Sequence, residues 1–187
     1  MRAAIPVRSA SKKENNPADK QVFIDRTYIS TAAKMNACVE LARKEPDHLF
    51  IAWFSETAKK FKDFFRQQEI DENRITETRF VHAPALQHKI PVFVEHYPLH
   101  AKELELIRNW DARQIIVFSA MDEPLFKHFG SDKLLPIMKM LGMKESEVIE
   151  HSMVSKSILS GQEKIAAQVS LEQSANSQAE WMERNMK

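Results

Sequence analysis

Residues 48–65 read HLFIAWFSETAKKFKDFF, and two periodicities meet inside them. His48 to Phe54 is nearly continuous in apolar, branched and aromatic residues. The run is too short for a typical helix and has the composition of a strand buried on both faces. Ser55 then offers an N-cap hydroxyl and Glu56 an acid for the first turn, after which Ala58, Phe61, Phe64 and Phe65 recur at helical spacing up to Gln68. A buried strand passing directly into an amphipathic helix is the repeating unit of a parallel sheet.

The same unit recurs on both sides. Towards the C-terminus, Ile75 to His82 and Lys89 to His96 read as strands, the second leading to a helix over His100–Trp110 with Ala101, Leu104 and Ile107 on its apolar face. Arg113 to Ser119, RQIIVFS, is a further strand. Towards the N-terminus, Gln21 to Ile24 is a short strand. Thr31 to Lys44 is a helix carried by Ala32, Met35, Val39 and Ala42, capped by Ser30 or Thr31 and closed by Pro46. The expected fold class is therefore α/β, a mainly parallel sheet in three layers.

Outside this alternation the pattern changes. Residues 1–20 are rich in Ser, Lys, Asn and Pro without periodicity and read as an extended arm. After Met121 only helical patterns follow: Pro124–Phe129, Asp132–Leu141 with Gly142 as its C′ stop, Glu145–Glu150, and one long amphipathic helix from Val154 to Met186. The expected organisation is an arm (1–20), an α/β domain (21–122) and a helical extension (123–187). The apolar stripe of the long helix needs a cover, so Ile158, Ile165, Val169 and Trp181 are candidate contacts for a protein partner or for self-association.

Composition narrows the functional classes. Hydrophobic residues make up 43% of the 187, enough for a core, and 27 basic residues nearly balance 26 acidic ones, which argues against nucleic acid and anionic membranes as partners. Lys59, Lys60, Lys62 and Arg66 interleave with Phe61, Phe64 and Phe65 as a solvated face opposite core aromatics would. No apolar run reaches the roughly 20 residues of a membrane span, and MRAAIPVRSASKKENN has no apolar secretion core, so the cytoplasm is the expected location. The single cysteine, Cys38, lies among small apolar residues as a buried thiol.

Candidate chemistry gathers after the strands. Ser55, Glu56, Glu95, His96, Tyr97, Ser119 and Asp122 all follow strand ends, where α/β sheets place ligands, and would form a polar rim. Glu95, His96 and His100 have spacing compatible with a metal, but Pro98 interrupts any common helical face, and no metal or cofactor is expected. Asp122 and Glu123 before Pro124 suit a helix cap as well as acid-base work.

The chain also resembles a known family. Phe129-Gly130-Ser131, Leu141-Gly142-Met143, Glu147, Ile149, His151, Met153, Lys156, Ser157, Ile158 and Gln162 occur in the order found after the second motor lobe of the SecA preprotein translocase ATPases. FIAWFSETAKKFKDFF and IIVFSAMDEPLFKHFG are similar to the first and last strand segments of that lobe, and Ile5, Pro6, Asp25, Tyr28, Thr31 and Lys34 to the segment leading into it. The resemblance implies a RecA-like lobe followed by the start of a helical scaffold. The chain departs from the family where the phosphate chemistry lies. None of its three glycines precedes Lys-Ser or Lys-Thr, as a phosphate loop requires. The arginine-bearing segments of the lobe are replaced by VEHYPLHAKELELIRNW, where Arg108 is the one arginine. The expected function is a non-catalytic SecA-like module acting as a protein-binding or structural unit. The alternatives are a lobe that binds nucleotide only with a separate phosphate-loop partner, and a small-molecule enzyme using the polar rim.

Overall fold

The computed structural model describes residues 22–110 and 114–186, with the side chains of Val22 and Ala83 excepted. The expected arm, the family-like Ile5 and Pro6, and the strand positions Gln21 and Arg113 lie outside the described residues.

Five strands are present among them: β1 (Val22–Tyr28), β2 (His48–Ala52), β3 (Ile75–Glu77), β4 (Ile90–Phe93) and β5 (Gln114–Ala120). They form one sheet in the order β1-β5-β4-β2-β3, and every pairing is parallel. Helices α1 (Thr31–Lys44), α2 (Ser55–Gln67) and α3 (His100–Ile107) make the crossovers. This is the mainly parallel, three-layer α/β fold of RecA-like type.

Side-chain alternation along each strand builds the two faces. Phe50, Ala52, Val92, Val94 and Phe118 point to the side covered by Met35, Cys38 and Val39 of α1 and Ala58, Phe61 and Phe65 of α2. Ile51, Phe93, Ile115 and Val117 point to the other side and meet Ile107 of α3 and Trp110. Burial pushes the Cys38 thiol up to about 12, so it remains protonated inside this layer.

The end of α1 was placed correctly by Pro46, and Ser30 is its N-cap, accepting the Ala33 N–H at 3.1 Å. Ala32 and Ala101, assigned to buried faces, are exposed. The charged residues Lys34 and Glu103 lie buried on those helices. β1 is longer than expected because its pairing with β5 continues to Tyr28↔Ala120. β3 is shorter, since it is an edge strand with one partner and gives way at Thr78 to 3-10 turns.

Four helices follow the sheet: α4 (Pro124–His128), α5 (Ser131–Met140), α6 (Ser152–Ala166) and α7 (Gln178–Asn185). Two expectations are corrected here. Glu145–Glu150 is not a helix: Ile149 forms an antiparallel bridge to Thr27, with N–H···O distances of 2.8 and 3.3 Å, and this pairing holds the segment extended. The long helix over Val154–Met186 is two helices. Ser177 accepts the Glu180 N–H at 3.2 Å while the Glu180 carboxylate accepts the Asn176 N–H at 2.6 Å, a reciprocal cap that starts α7 afresh. Among the described residues no helix is long and apolar enough to cross a membrane.

The break in the helix lets the apolar stripe fold back. Ile158, Ile165 and Trp181 are buried and Val169 is partly buried, in one cluster with Phe54, Leu125 and Phe126. The four candidate partner contacts are therefore covered by the chain itself. Gly161 permits the closest approach: a Cβ there would lie 2.2 Å from the Phe129 ring.

Candidate functional site

In the sheet order, the chain leaves β2 outward to β3 and returns inward to β4, so a topological switch point lies between the carboxyl ends of β2 and β4. Open α/β sheets place ligands at such a crevice, and an anion there is held by the backbone N–H groups at a helix start. In this chain the carboxylate of Glu95 occupies that position. Its Oε1 accepts the N–H groups of Trp53 (2.9 Å) and Phe54 (3.1 Å), and its Oε2 accepts the Thr57 hydroxyl at 2.8 Å. Phe54, not Ser55, is the N-cap residue of α2 and has no side chain able to cap. Glu95 instead holds the N-cap residue by its N–H from 41 residues away, and the Asn176 carbonyl accepts the Glu56 N–H of the first turn at 3.0 Å. Burial, opposed by nearby Lys34 and the Thr57 bond, raises the Glu95 carboxyl to about 7.

Beside it lies a second group of charges. Lys34, 2% exposed, donates from Nζ to the Val94 carbonyl and to Glu123 Oε1. Burial works against its ammonium, but Glu123 and Glu95 hold its pKa above the usual lysine value. Nζ also lies 5.4 Å from the Phe61 ring centroid. Glu123 stands at the N-cap position of α4 without capping it; burial pushes its carboxyl above the ordinary value, opposed by Lys34 and by a backbone hydrogen bond at Ala120. Asp122 secures the start of α1, its Oδ1 accepting from the Thr31 N–H (2.8 Å) and hydroxyl (2.7 Å). These groups face a crevice of about 510 Å³ that Glu56, Thr57 and Lys60 of α2 and Ala179 of α7 also line.

A further cluster closes the neighbouring part of the strand-end edge. His96 is held between Asp25 of β1, 3.0 Å from Nε2, and Glu103 of α3, 3.0 Å from Nδ1. All three are buried. Burial opposes the imidazolium, but the Glu103 charge and the hydrogen bonds that the ring donates to both carboxylates raise His96 to about 10. Burial likewise opposes ionisation of Glu103, yet His96 and bonds from His100 and Gln162 lower it to about 2. Burial acts on Asp25 in the same sense, and its bond to His96 outweighs this and leaves the carboxyl below the usual range. Glu103 accepts in addition from the Tyr97 N–H (2.9 Å) and Gln162 Nε2 (2.9 Å).

The helical extension is fastened to this cluster by polar side chains. Gln162 of α6 donates to the Tyr97 carbonyl at 2.7 Å. Gln178 of α7 donates to the His96 carbonyl at 3.0 Å and accepts the Leu125 N–H at 2.8 Å. Glu172 receives both the Tyr97 hydroxyl and Trp181 Nε1.

The seven rim residues are thus brought to one edge of the sheet but divided there. Glu56, Glu95 and Asp122 line the crevice. His96 and Tyr97 belong to the closed cluster, Ser119 bonds Thr27 at 2.9 Å beneath it, and Ser55 bonds the backbone and side chain of Asn176 at 3.4 Å. His96, with both ring nitrogens engaged by carboxylates, has none left for a metal, and among the described residues no three His, Cys, Asp or Glu side chains could hold one. Asp25, Lys34 and Gln162 stand out in the sequence only as family-like positions and Lys60 only on a solvated face, while Thr57, Glu103 and Gln178 do not stand out. Spacing held a signal for two of them. Lys34 lies four residues before the buried Cys38 and Glu103 four before Ile107, which places each charge on a core-facing stripe.

No family model matches the chain. Part of it is similar to the protein translocase subunit SecA of several bacteria. The identity is 39% over 61 residues with that of Chlorobium phaeovibrioides, covering 33% of this chain and 6% of the relative. It is 43% over 61 residues, with the same coverage, for Chlorobium phaeobacteroides. With the SecA of Acidithiobacillus ferrooxidans it is 47% over 58 residues, 31% of this chain and 6% of the relative. The chain spans only 6% of the length of the relatives it matches, and the SecA-like region is about a third of the chain.

Proposed function

We propose that this chain is a non-catalytic module related to the SecA protein translocase subunit, acting as a structural or protein-binding unit without ATP turnover of its own. The observation that carries this reading is the Glu95 carboxyl on the Trp53 and Phe54 N–H groups, because an internal side chain fills the strand-end crevice where an open α/β sheet would receive a ligand. Three further features support it. Lys34 is already engaged by Glu123 and the Val94 carbonyl. Four carboxylates face the crevice against two lysines, a field that repels a triphosphate. The chain contains no GxxxxGK[ST] sequence to cradle one.

The test is calorimetric titration of the full chain with MgATP and MgADP, paired with a phosphate-release assay. The expected result is no saturable heat and no turnover above buffer. Sustained phosphate release would overturn the proposal. Nucleotide binding that emerges only on addition of a phosphate-loop protein would replace it with a lobe that completes a shared ATP site.

A further inference from the structure

One side of the helical extension is left uncovered by the chain. Leu134, Ile137, Met138 and Leu141 recur at the i, i+3, i+4, i+7 spacing of a helix face that packs against something, yet Leu134 is 52% and Leu141 78% exposed. Opposite them stands Met153 of α6, 67% exposed. Between the two helices lies a groove of about 310 Å³ where Leu134, Met138, Phe129, Ile149 and Met153 meet and no charged residue takes part. A contiguous apolar surface on a folded domain marks an interaction site.

The groove changes character as it runs along α6. Past Phe129, Met153 and Ser157, which line both parts, it continues as a trough of about 580 Å³ bordered by His128, Lys156, Ser160 and Lys164. Among the described residues no carboxylate lines this trough, and neither Lys156 nor Lys164 forms an ion pair. The apolar part suits aliphatic side chains, and the basic part suits carboxylates that follow them. Exposed Glu147 and Glu150, either side of Ile149, stand at the apolar end and fix the direction. Two lysines are fewer than the roughly four that an anionic lipid surface calls for. From Met153 to Lys164 the helix rises roughly 16 Å, the reach of about five residues of extended chain.

We infer that the groove between α5 and α6 receives a short segment of a protein partner in which apolar residues are followed by glutamate or aspartate. The apolar side chains sit between Leu134 and Met153, and the carboxylates meet Lys156 and Lys164. The inference rests on the protein-binding reading above and gives that partner its chemistry.

The experiment is an NMR titration of the ¹⁵N-labelled full chain with the peptide Ac-Leu-Leu-Ala-Glu-Glu-NH2. Ac-Leu-Leu-Ala-Lys-Lys-NH2, Ac-Ala-Ala-Ala-Glu-Glu-NH2 and phosphatidylglycerol vesicles are titrated in parallel. The first peptide is expected to shift the amides of Leu134, Met138, Met153, Ser157 and Lys164, and the other three additives to leave them in place. Met153→Ser and Lys164→Glu, both at exposed positions, should each weaken it roughly fivefold. Combining Lys156→Glu with Lys164→Glu should transfer the shifts to the lysine peptide. The inference is overturned if the first peptide leaves these amides unmoved, if either control peptide moves them equally, or if the double variant keeps the original preference. Vesicles moving them in place of the peptide assign the face to a lipid surface, and shifts on raising protein concentration alone assign it to a second copy; either result also overturns the inference. Absent shifts with no ATP turnover remove this inference and leave the non-catalytic reading standing, whereas turnover removes both.

Discussion

Two buried polar clusters sit side by side at the carboxyl ends of the strands, built from similar residues and partnered differently. In the Asp25–His96–Glu103 cluster one imidazolium lies between two carboxylates, and the remaining lone pairs meet Tyr97, His100 and Gln162. In the Lys34–Glu123–Glu95 cluster the one ammonium bonds only Glu123 and the Val94 carbonyl, and the cluster borders an open crevice. A buried charge bonded on every side fastens elements together; one beside an open crevice fastens fewer. The first cluster joins β1, α3, α6 and, through the His96 carbonyl, α7. The second joins α1 to the segment after β5 and still faces solvent.

The contrast can be broken first at Glu103. Glu103→Ala strands His96 and removes the anchor of Gln162, and should cost about 4 kcal/mol of stability in urea denaturation. Glu123→Gln, which keeps the shape and one acceptor for Lys34, should cost clearly less; equal losses would mean that the crevice is as much a fastening as its neighbour. Trp181→Ala removes a fully buried ring from the cluster under α7 and leaves Glu172 short of a donor, with a loss of about 3 kcal/mol expected in the same assay.

The pH dependence separates the clusters without disrupting either. The Glu103 contribution is complete above the ordinary carboxyl value of 4.5 and is lost as pH falls towards about 2. The His96 contribution is complete below 6.5 and is lost as pH rises towards about 10. Between 4.5 and 6.5 neither changes. Glu95 behaves oppositely in that window: its contribution is complete below 4.5 and is lost as pH rises through about 7. Thermal denaturation across that range should show stability declining with pH, and Glu95→Gln should flatten the decline. Glu95→Ala, which also leaves the Trp53 and Phe54 N–H groups without their acceptor, should cost about 1 kcal/mol at the acid end of the window. The smallest effect belongs to exposed Glu56, where Glu56→Gln should change stability by less than about 0.5 kcal/mol in the same assay.

The parts of the fold legible in sequence are those whose causes are local. Pro46 closes α1, the run after His48 cannot be anything longer than a strand, and Gly142 ends α5 with φ of 86°. Where the cause is distant, local reading fails. The helix expected at Glu145–Glu150 loses to pairing between Ile149 and Thr27. Ser55 fits the cap of α2 by local sequence, but the N-cap residue is Phe54, held through its N–H by the distant Glu95. The rim was found as a set of strand-end residues, since parallel strands deliver their ends to one edge. Which of its members would be closed over depended on the break before α7. The Ser177-x-x-Glu180 cap that makes this break is written in the sequence, beneath an apolar spacing that also fits an unbroken helix.

The sequence by itself determined the parallel α/β architecture, the missing phosphate loop and a partial likeness to SecA, because hydrophobic period, turn residues and motif order are properties of neighbours along the chain. Only the tertiary structure decided that the apolar stripe of the C-terminal region is covered from within, that the Glu95 carboxyl fills the crevice before α2, and that Glu123 is buried against Lys34. Those outcomes depend on groups tens of residues apart meeting at one edge of a sheet, where burial sets how each charge must be partnered.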